Sequence, residues 1–216
     1  PNVCERIDLS VPDGRRRLDA LRTKLVSQGD VISPASRQRT IDVFGEPLSP
    51  RQVVERICED VRSRGLEALL DYSRRIDRAE VSAESLVVSA DDLAKAHAAA
   101  DSGFLAAVQR IRDRVRRFQE AILSRDVTMP FPGGGSLRQR YVPLGRVGVC
   151  VPGGAAAYPS TLLMTVVPAR VAGVEEVVVV APPTSFGADN PLVRATCHEL
   201  GVTTLLRVGG AQAVAA

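Results

Sequence analysis

The chain has 216 residues, of which 45% are apolar and 25% charged, and carries a formal net charge of +3. That length holds one large domain or two small ones, and the composition is that of a soluble globular protein, not a disordered or fibrous one. So small a charge selects neither nucleic acid nor a membrane surface as partner, and no apolar run approaches the ~18 residues of a spanning helix.

The N-terminus has no secretory pattern, and Cys4, Cys58, Cys150 and Cys197 are scattered without a Cys-x-x-Cys pair. Free thiols in a reducing, cytoplasmic setting are the expectation. Nearly all positive charge is arginine, since only Lys24 and Lys95 are lysines. High-GC coding explains this bias without a functional role. The chain starts at Pro1 and stops in what reads as the first turn of a helix, so it reads as part of a longer polypeptide.

Residues 1–45 read as an N-terminal helical arm, with Leu18, Leu21 and Leu25 on one face of a helix that follows Gly14. A clearer helix opens at Ser49, where Pro50 takes the first position and Gln52 completes a capping box. Val53, Val54, Ile57 and Val61 form its apolar face, and Gly65 closes it. A second helix carries Leu66, Leu69, Leu70 and Ile76, and residues 86–89 read as a short strand. From Asp91 to about Ser124 the pattern is helical, broken near Asp101, which can cap the second piece. Leu105, Val108, Ile111, Val115, Phe118 and Ile122 then recur as one core-facing stripe. The arginines beside that stripe lack interleaved aromatics, so they read as solvated or subunit-facing and not as a nucleic-acid reader. Residues 130–135 make a turn between two short strands, and 46–142 together form a helix-rich first domain.

The cofactor domain runs from residue 143 to 216. An apolar run at 146–151 meets Gly153-Gly154, a helix spans 160–172, and a β-branched run follows at 177–180. Asn190-Pro191 then starts a helix that ends near Gly201, and a third strand at 202–208 meets Gly209-Gly210. The pattern is β-α-β-α-β, an α/β fold with an incomplete Rossmann-like parallel sheet. The strands are apolar throughout, so both faces are expected to be covered.

Ligands of such sheets sit beyond the carboxyl ends of the strands. No G-x-G-x-x-G follows the first strand. The glycine pairs at 153–154 and 209–210 either expose backbone to a pyrophosphate or only make tight turns, and spacing leaves both open. Gln212 can offer its amide to a ligand or face water. Pro168, inside the helix, should kink it. The two histidines are His97, in an alanine-rich helix, and His198, which with its neighbour Cys197 makes a poor chelate because adjacent residues on a helix point about 100° apart. Cys150, at a strand end without a visible basic partner, reads as a buried structural thiol.

The elements V-P-G-G (151–154), Y-P-S-T-x-x-M (158–164), P-A-x-x-A-G-V (168–174) and G-G-A-Q-A (209–213) occur in the order and spacing of the histidinol dehydrogenase family, which this chain resembles. Weaker similarity extends upstream through ALLDYSRRID, and the whole matches roughly the N-terminal half of the family's polypeptide. The resemblance implies an aldehyde-dehydrogenase-like fold, a homodimer with intertwined subunits, and oxidation of L-histidinol through the aldehyde to L-histidine with two NAD+. It also implies zinc and a Glu-His proton-transfer pair, both supplied beyond Ala216, so no catalytic or metal residue is assigned here. On the cofactor side it makes Gln212 a contact of NAD and puts Cys150 where the family commonly carries a tyrosine that contacts NAD. Gly153, Gly154, Gly209 and Gly210 complete the expected cofactor loops. The same motifs also resemble aldehyde dehydrogenases and acyl-phosphate reductases, which attack with a downstream cysteine, and a non-catalytic NAD-binding module is the third reading.

Overall fold

Ser49 and Gln52 close a reciprocal capping box: the Ser49 amide donates to the Gln52 side chain at 2.9 Å, and the Gln52 amide donates to the Ser49 hydroxyl at 3.3 Å. The box opens helix α3 (Pro50–Arg64) in a computed structural model that describes residues 6–27 and 33–216, with the side chains of 24–27 left aside. Cys4 and the side chain of Leu25 lie outside that description. The chain divides into two compact units, Pro1–Ile57 and Cys58–Ala216.

In the first unit α1 spans Gly14–Ser27 and α2 spans Pro34–Phe44. The arm expectation held one helix, so α2 is an addition. Ser33 caps it by accepting from the Ser36 amide, Pro34 takes the first position, and Gly45 ends it at φ 80°. On α3, Ile57 and Val61 are buried while Val54 is exposed, so the apolar face is narrower than its spacing suggested.

The second unit continues with α4 (Leu66–Tyr72), a π-helical turn at Ser73–Asp77 and a two-residue strand β1 (Val87–Val88). Leu69 is buried, whereas Leu66 and Ile76 are exposed. Helices α5 (Ala90–Ala98) and α6 (Ser102–Ile122) come next, and Asp101 caps α6 by accepting from the Phe104 amide at 2.8 Å. The α6 stripe is only partly core-facing: Val108 is buried, but Ile111, Phe118 and Ile122 are exposed. Helix α6 packs on α7 and α8, and toward its C-terminal end Gln119 and Ile122 line an open cavity with Tyr141, Pro168 and Val171 instead of a closed core. Strands β2 (Val127–Pro130) and β3 (Ser136–Gln139) then form an antiparallel hairpin exposed along its length.

The parallel unit comprises β4 (Arg146–Cys150), α7 (Pro159–Val171), β5 (Glu176–Ala181), α8 (Pro191–Glu199), β6 (Thr204–Arg207) and α9 (Gly210–Ala215). The sheet order is β1-β6-β5-β4, with β4, β5 and β6 parallel and β1 antiparallel on the β6 edge. Both connections step the same way across the sheet, so α7 and α8 lie on one face. There Val149, Val177, Val179 and Leu205 meet Leu162 and Val166 of α7 and Val193 and Cys197 of α8. Pro168 sits inside α7, and the residue four before it, Met164, is solvent-exposed, so water can satisfy the carbonyl that lacks its usual donor.

The opposite face is covered in part, by Leu69 of α4 against Val180 and Val208 with Ala213 of α9 alongside. A groove of about 820 Å³ between Leu66, Leu86, Val178, Leu206 and Val214 stays open. This corrects the expectation of strands covered on both faces. Strand β4 forms one edge of the sheet, and Gly148 and Cys150 on it are exposed.

Candidate functional site

The carboxyl ends of β4, β5 and β6 turn into three loops that hold one another in place. After β4 the Val151 amide donates to the Val180 carbonyl at 2.8 Å, which keeps the loop in register one residue past the strand. Thr184, after β5, donates its hydroxyl to the Gly153 carbonyl at 2.7 Å and accepts from the Gly187 amide at 3.0 Å. A Cβ at Gly153 would lie 2.9 Å from the Thr184 hydroxyl and 3.0 Å from Gly187 Cα. After β6 the same logic recurs, since a Cβ at Gly209 would lie 2.5 Å from Pro182 Cγ.

The two glycine pairs therefore split by role. Gly153 and Gly209 are buried and let loops pack backbone to backbone. Gly154 and Gly210 are exposed, and a Cβ on Gly154 would meet nothing within 4 Å. Gly210 has φ +65°, a conformation glycine adopts without strain. One glycine of each pair thus serves the close packing of the loops, and the other lies at the surface.

Cys150 is exposed, which corrects the reading of a buried thiol. Side chains alternate along a strand, and its neighbours Val149 and Val151 face the α7–α8 core, so Cys150 points to the less covered face. Cys197 is the buried thiol, and burial pushes it up to about 12, which leaves it protonated and unreactive at neutral pH. Among the described residues Cys58, Cys150 and Cys197 are free.

Gln212 is 1% exposed and does not face water. Its Nε2 donates to Asp77 Oδ2 at 3.3 Å. Burial raises the Asp77 carboxyl above its ordinary value, and the bond from Gln212 lowers it in part. Asp189 accepts from Arg194 at 2.7 Å and from Arg207 at 3.1 Å, tying the β5 loop to the end of β6.

Two features went unread in the sequence. The chain brings Asp77 to Gln212 across 135 positions, and no local pattern announces that. His97 and His198 also meet, with ring centroids 4.6 Å apart, and His97 Nε2 lies 2.9 Å from Glu199 Oε2. Among the described residues no group of three or more His, Cys, Asp or Glu is arranged to hold a metal ion. No described helix is long and apolar enough to cross a membrane.

Known proteins resemble this chain in both sequence and fold. The family model for histidinol dehydrogenase matches residues 46–216. A histidinol dehydrogenase of Rhodopirellula baltica is 56% identical over 209 residues, 97% of this chain and 45% of that protein. One of Heliobacterium mobile is 44% identical over 76% of this chain and 38% of its own length. The chain thus spans less than half the length of these curated relatives. The crystal structure of histidinol dehydrogenase from Elizabethkingia anophelis superposes with a TM-score of 0.71 at 23% identity, over 85% of this chain and 42% of that one, which supports the fold. A family model that covers most of the sequence, together with relatives of such identity, settles the assignment: the chain belongs to the histidinol dehydrogenase family.

Proposed function

We propose that this chain is the N-terminal part of an NAD-dependent, zinc-requiring histidinol dehydrogenase that oxidises L-histidinol through the aldehyde to L-histidine, and that it supplies part of the cofactor site. The observation that carries this reading is 56% identity to a histidinol dehydrogenase over nearly the whole chain. The parallel β-α-β-α-β unit supports the cofactor assignment, because its strand ends expose Gly154, Gly210 and Cys150 together.

Those residues suit a dinucleotide. Bare backbone at Gly154 lets a sugar or pyrophosphate approach without meeting a side chain, an approach at Gly210 meets the Gln212 amide, and Cys150 offers a small surface where a ring can lie. Gly153 and Gly209 act behind them by holding the loops together. Gln212 adds an amide at the mouth of the third strand. A bound NAD+ would supply the hydride acceptor. The described residues do not suit zinc, and this chain is assigned no metal step and no acid-base residue.

The remaining assignments rest on the same reading. Residues 1–45 form the arm, 46–142 the first domain and 143–216 the cofactor domain of an aldehyde-dehydrogenase-like protein, which works as a homodimer in the cytoplasm.

The test is a titration of NAD+ by calorimetry together with an assay of NAD+ reduction by L-histidinol. The native polypeptide that carries this sequence should bind NAD+ and turn over, whereas residues 1–216 alone should not turn over. Turnover by residues 1–216 alone would overturn the division of labour. A native polypeptide inert toward histidinol but active on aldehydes through a cysteine would overturn the substrate.

A further inference from the structure

Asp77 and Gln212 meet through a piece of backbone that is costly to build. Asp77 ends the π-helical turn Ser73–Asp77, in which the Arg78 amide donates to the Ser73 carbonyl. Arg78 comes next at φ 55°, the one non-glycine residue with positive φ among the described residues. Each feature is disfavoured in isolation and persists where surrounding contacts maintain it, commonly at functional positions. A π turn holds one residue more than an α turn, so the residues after it are rotated by about 100° around the helix axis. That rotation belongs to the path that sets the Asp77 carboxylate against the Gln212 amide.

The chemistry of the pair fixes the direction of the amide. An ionised carboxylate only accepts hydrogen bonds, so the nitrogen of Gln212 faces Asp77 and the oxygen faces away. On the other side of that oxygen is Gly210, where a Cβ would lie 2.7 Å from Oε1. Any residue but glycine would be strained at φ +65° and would also collide with the amide. The oxygen therefore sits behind a turn without a side chain, and that turn is exposed at the end of β6. Among the described residues the amide has Asp77 as its hydrogen-bond partner, which leaves the oxygen able to accept.

We propose that Asp77 is a positioning residue of the cofactor site: by holding the Gln212 nitrogen it presents the Gln212 oxygen, past the bare Gly210 turn, to a hydrogen-bond donor of a nicotinamide dinucleotide. A ribose hydroxyl and the carboxamide N–H are the donors of that class. Asp77 touches no cofactor atom and acts through Gln212. The proposal rests on the reading of this chain as part of an NAD site.

The experiment is a double-mutant cycle on the NAD+ dissociation constant, measured by calorimetry in the native polypeptide. Asp77→Leu removes the acceptor and should weaken NAD+ roughly tenfold, the worth of one well-placed hydrogen bond. Asp77→Asn keeps an acceptor oxygen of the same reach and should stay within about threefold of the unsubstituted protein. Gln212→Met should weaken binding by a similar factor, and Asp77→Leu added to it should cost nothing further. A merely structural Asp77 would cost the same factor in both backgrounds, and that result overturns the proposal, as does unchanged affinity in Asp77→Leu. Asp77→Ser, too short to reach the amide yet polar, takes the place of the leucine variant if the latter fails to fold. If the unsubstituted, folded polypeptide binds no NAD+, the cofactor reading itself falls, which is distinct from a cycle that shows no coupling.

Discussion

Arg112 Nη1 lies 2.6 Å from Glu199 Oε1, and so α6 is fastened to the last residue of α8 through a carboxylate whose side chain is only 9% exposed. His97 of α5 lies 2.9 Å from the second oxygen, and because a carboxylate only accepts, its Nε2 donates. A negative charge at a helix C-terminus opposes the helix dipole. Three helices are therefore held by a group that is stable only while its partners remain.

The first prediction concerns acid. Burial pushes the Glu199 carboxyl up, but the bonds from His97 and Gln109 and the charge of Arg112 outweigh it and hold the group below its usual 4.5. A lowered folded value means stability that is present above the unfolded value and lost as pH falls through the folded one. Urea midpoints should drop as pH falls below the ordinary value of 4.5, and Glu199→Gln should flatten that drop. Arg112→Met should cost on the order of 2 kcal/mol at pH 7, because the carboxylate loses its permanently charged partner and keeps only the bonds from His97 and Gln109. Equal midpoints for Arg112→Met and the unsubstituted protein would count against this account.

The glycine pairs give a second prediction. Gly209→Ala puts a Cβ 2.5 Å from Pro182 Cγ, and Gly153→Ala puts one 2.9 Å from the Thr184 hydroxyl and 3.0 Å from Gly187 Cα. Each should destabilise by about 1–3 kcal/mol in denaturant titration. Gly154→Ala meets nothing within 4 Å and should leave the midpoint unchanged while weakening NAD+ binding. A stability loss in Gly154→Ala matching that of Gly209→Ala would show that the pairs do not split.

Tyr72 gives a third. It is 1% exposed and donates its hydroxyl to Asp60, and burial together with that bond pushes its phenol up to about 12. A raised folded value contributes stability that is complete below the unfolded value near 10 and disappears as pH climbs through the folded one. Tyr72→Phe should cost about 1–2 kcal/mol at pH 7 and should remove the steep part of the alkaline loss above pH 10, read by thermal midpoints.

The fourth concerns exposed apolar surface. Phe118 is 61% exposed, Ile122 55%, Leu137 62% and Leu144 67%, and all belong to α6, the hairpin or the segment just after it. A lone two-stranded hairpin is marginal in water. Residues 1–216 expressed alone should bind an apolar dye and self-associate with concentration, and Phe118→Glu with Leu137→Glu should reduce both. A monomer that binds no dye, in sedimentation and fluorescence measurements, would exclude this.

Much of the fold was legible because it is written in local signals. The capping box at Ser49, the Asp101 cap of α6 and the Asn190-Pro191 start of α8 each depend on residues a few positions apart, and each forms as the spacing predicts. The stripe on α6 misled for the opposite reason. Periodicity says which residues share a face but not how much of that face a neighbour covers, and Ile111, Phe118 and Ile122 stay exposed. Helix α2 was missed although Ser33, Pro34 and Gly45 carry its start and stop signals, because an arm was expected to hold one helix.

The parallel unit and its family can be read from the chain alone, because β-branched runs, glycine turns and capping residues act over a few positions and recur in fixed order. Which glycine of each pair is buried, the exposure of Cys150 and the bond between Asp77 and Gln212 come from long-range packing. Those outcomes depend on which distant segments arrive at the strand ends, and a contact between residues 135 positions apart leaves no mark in the spacing around either.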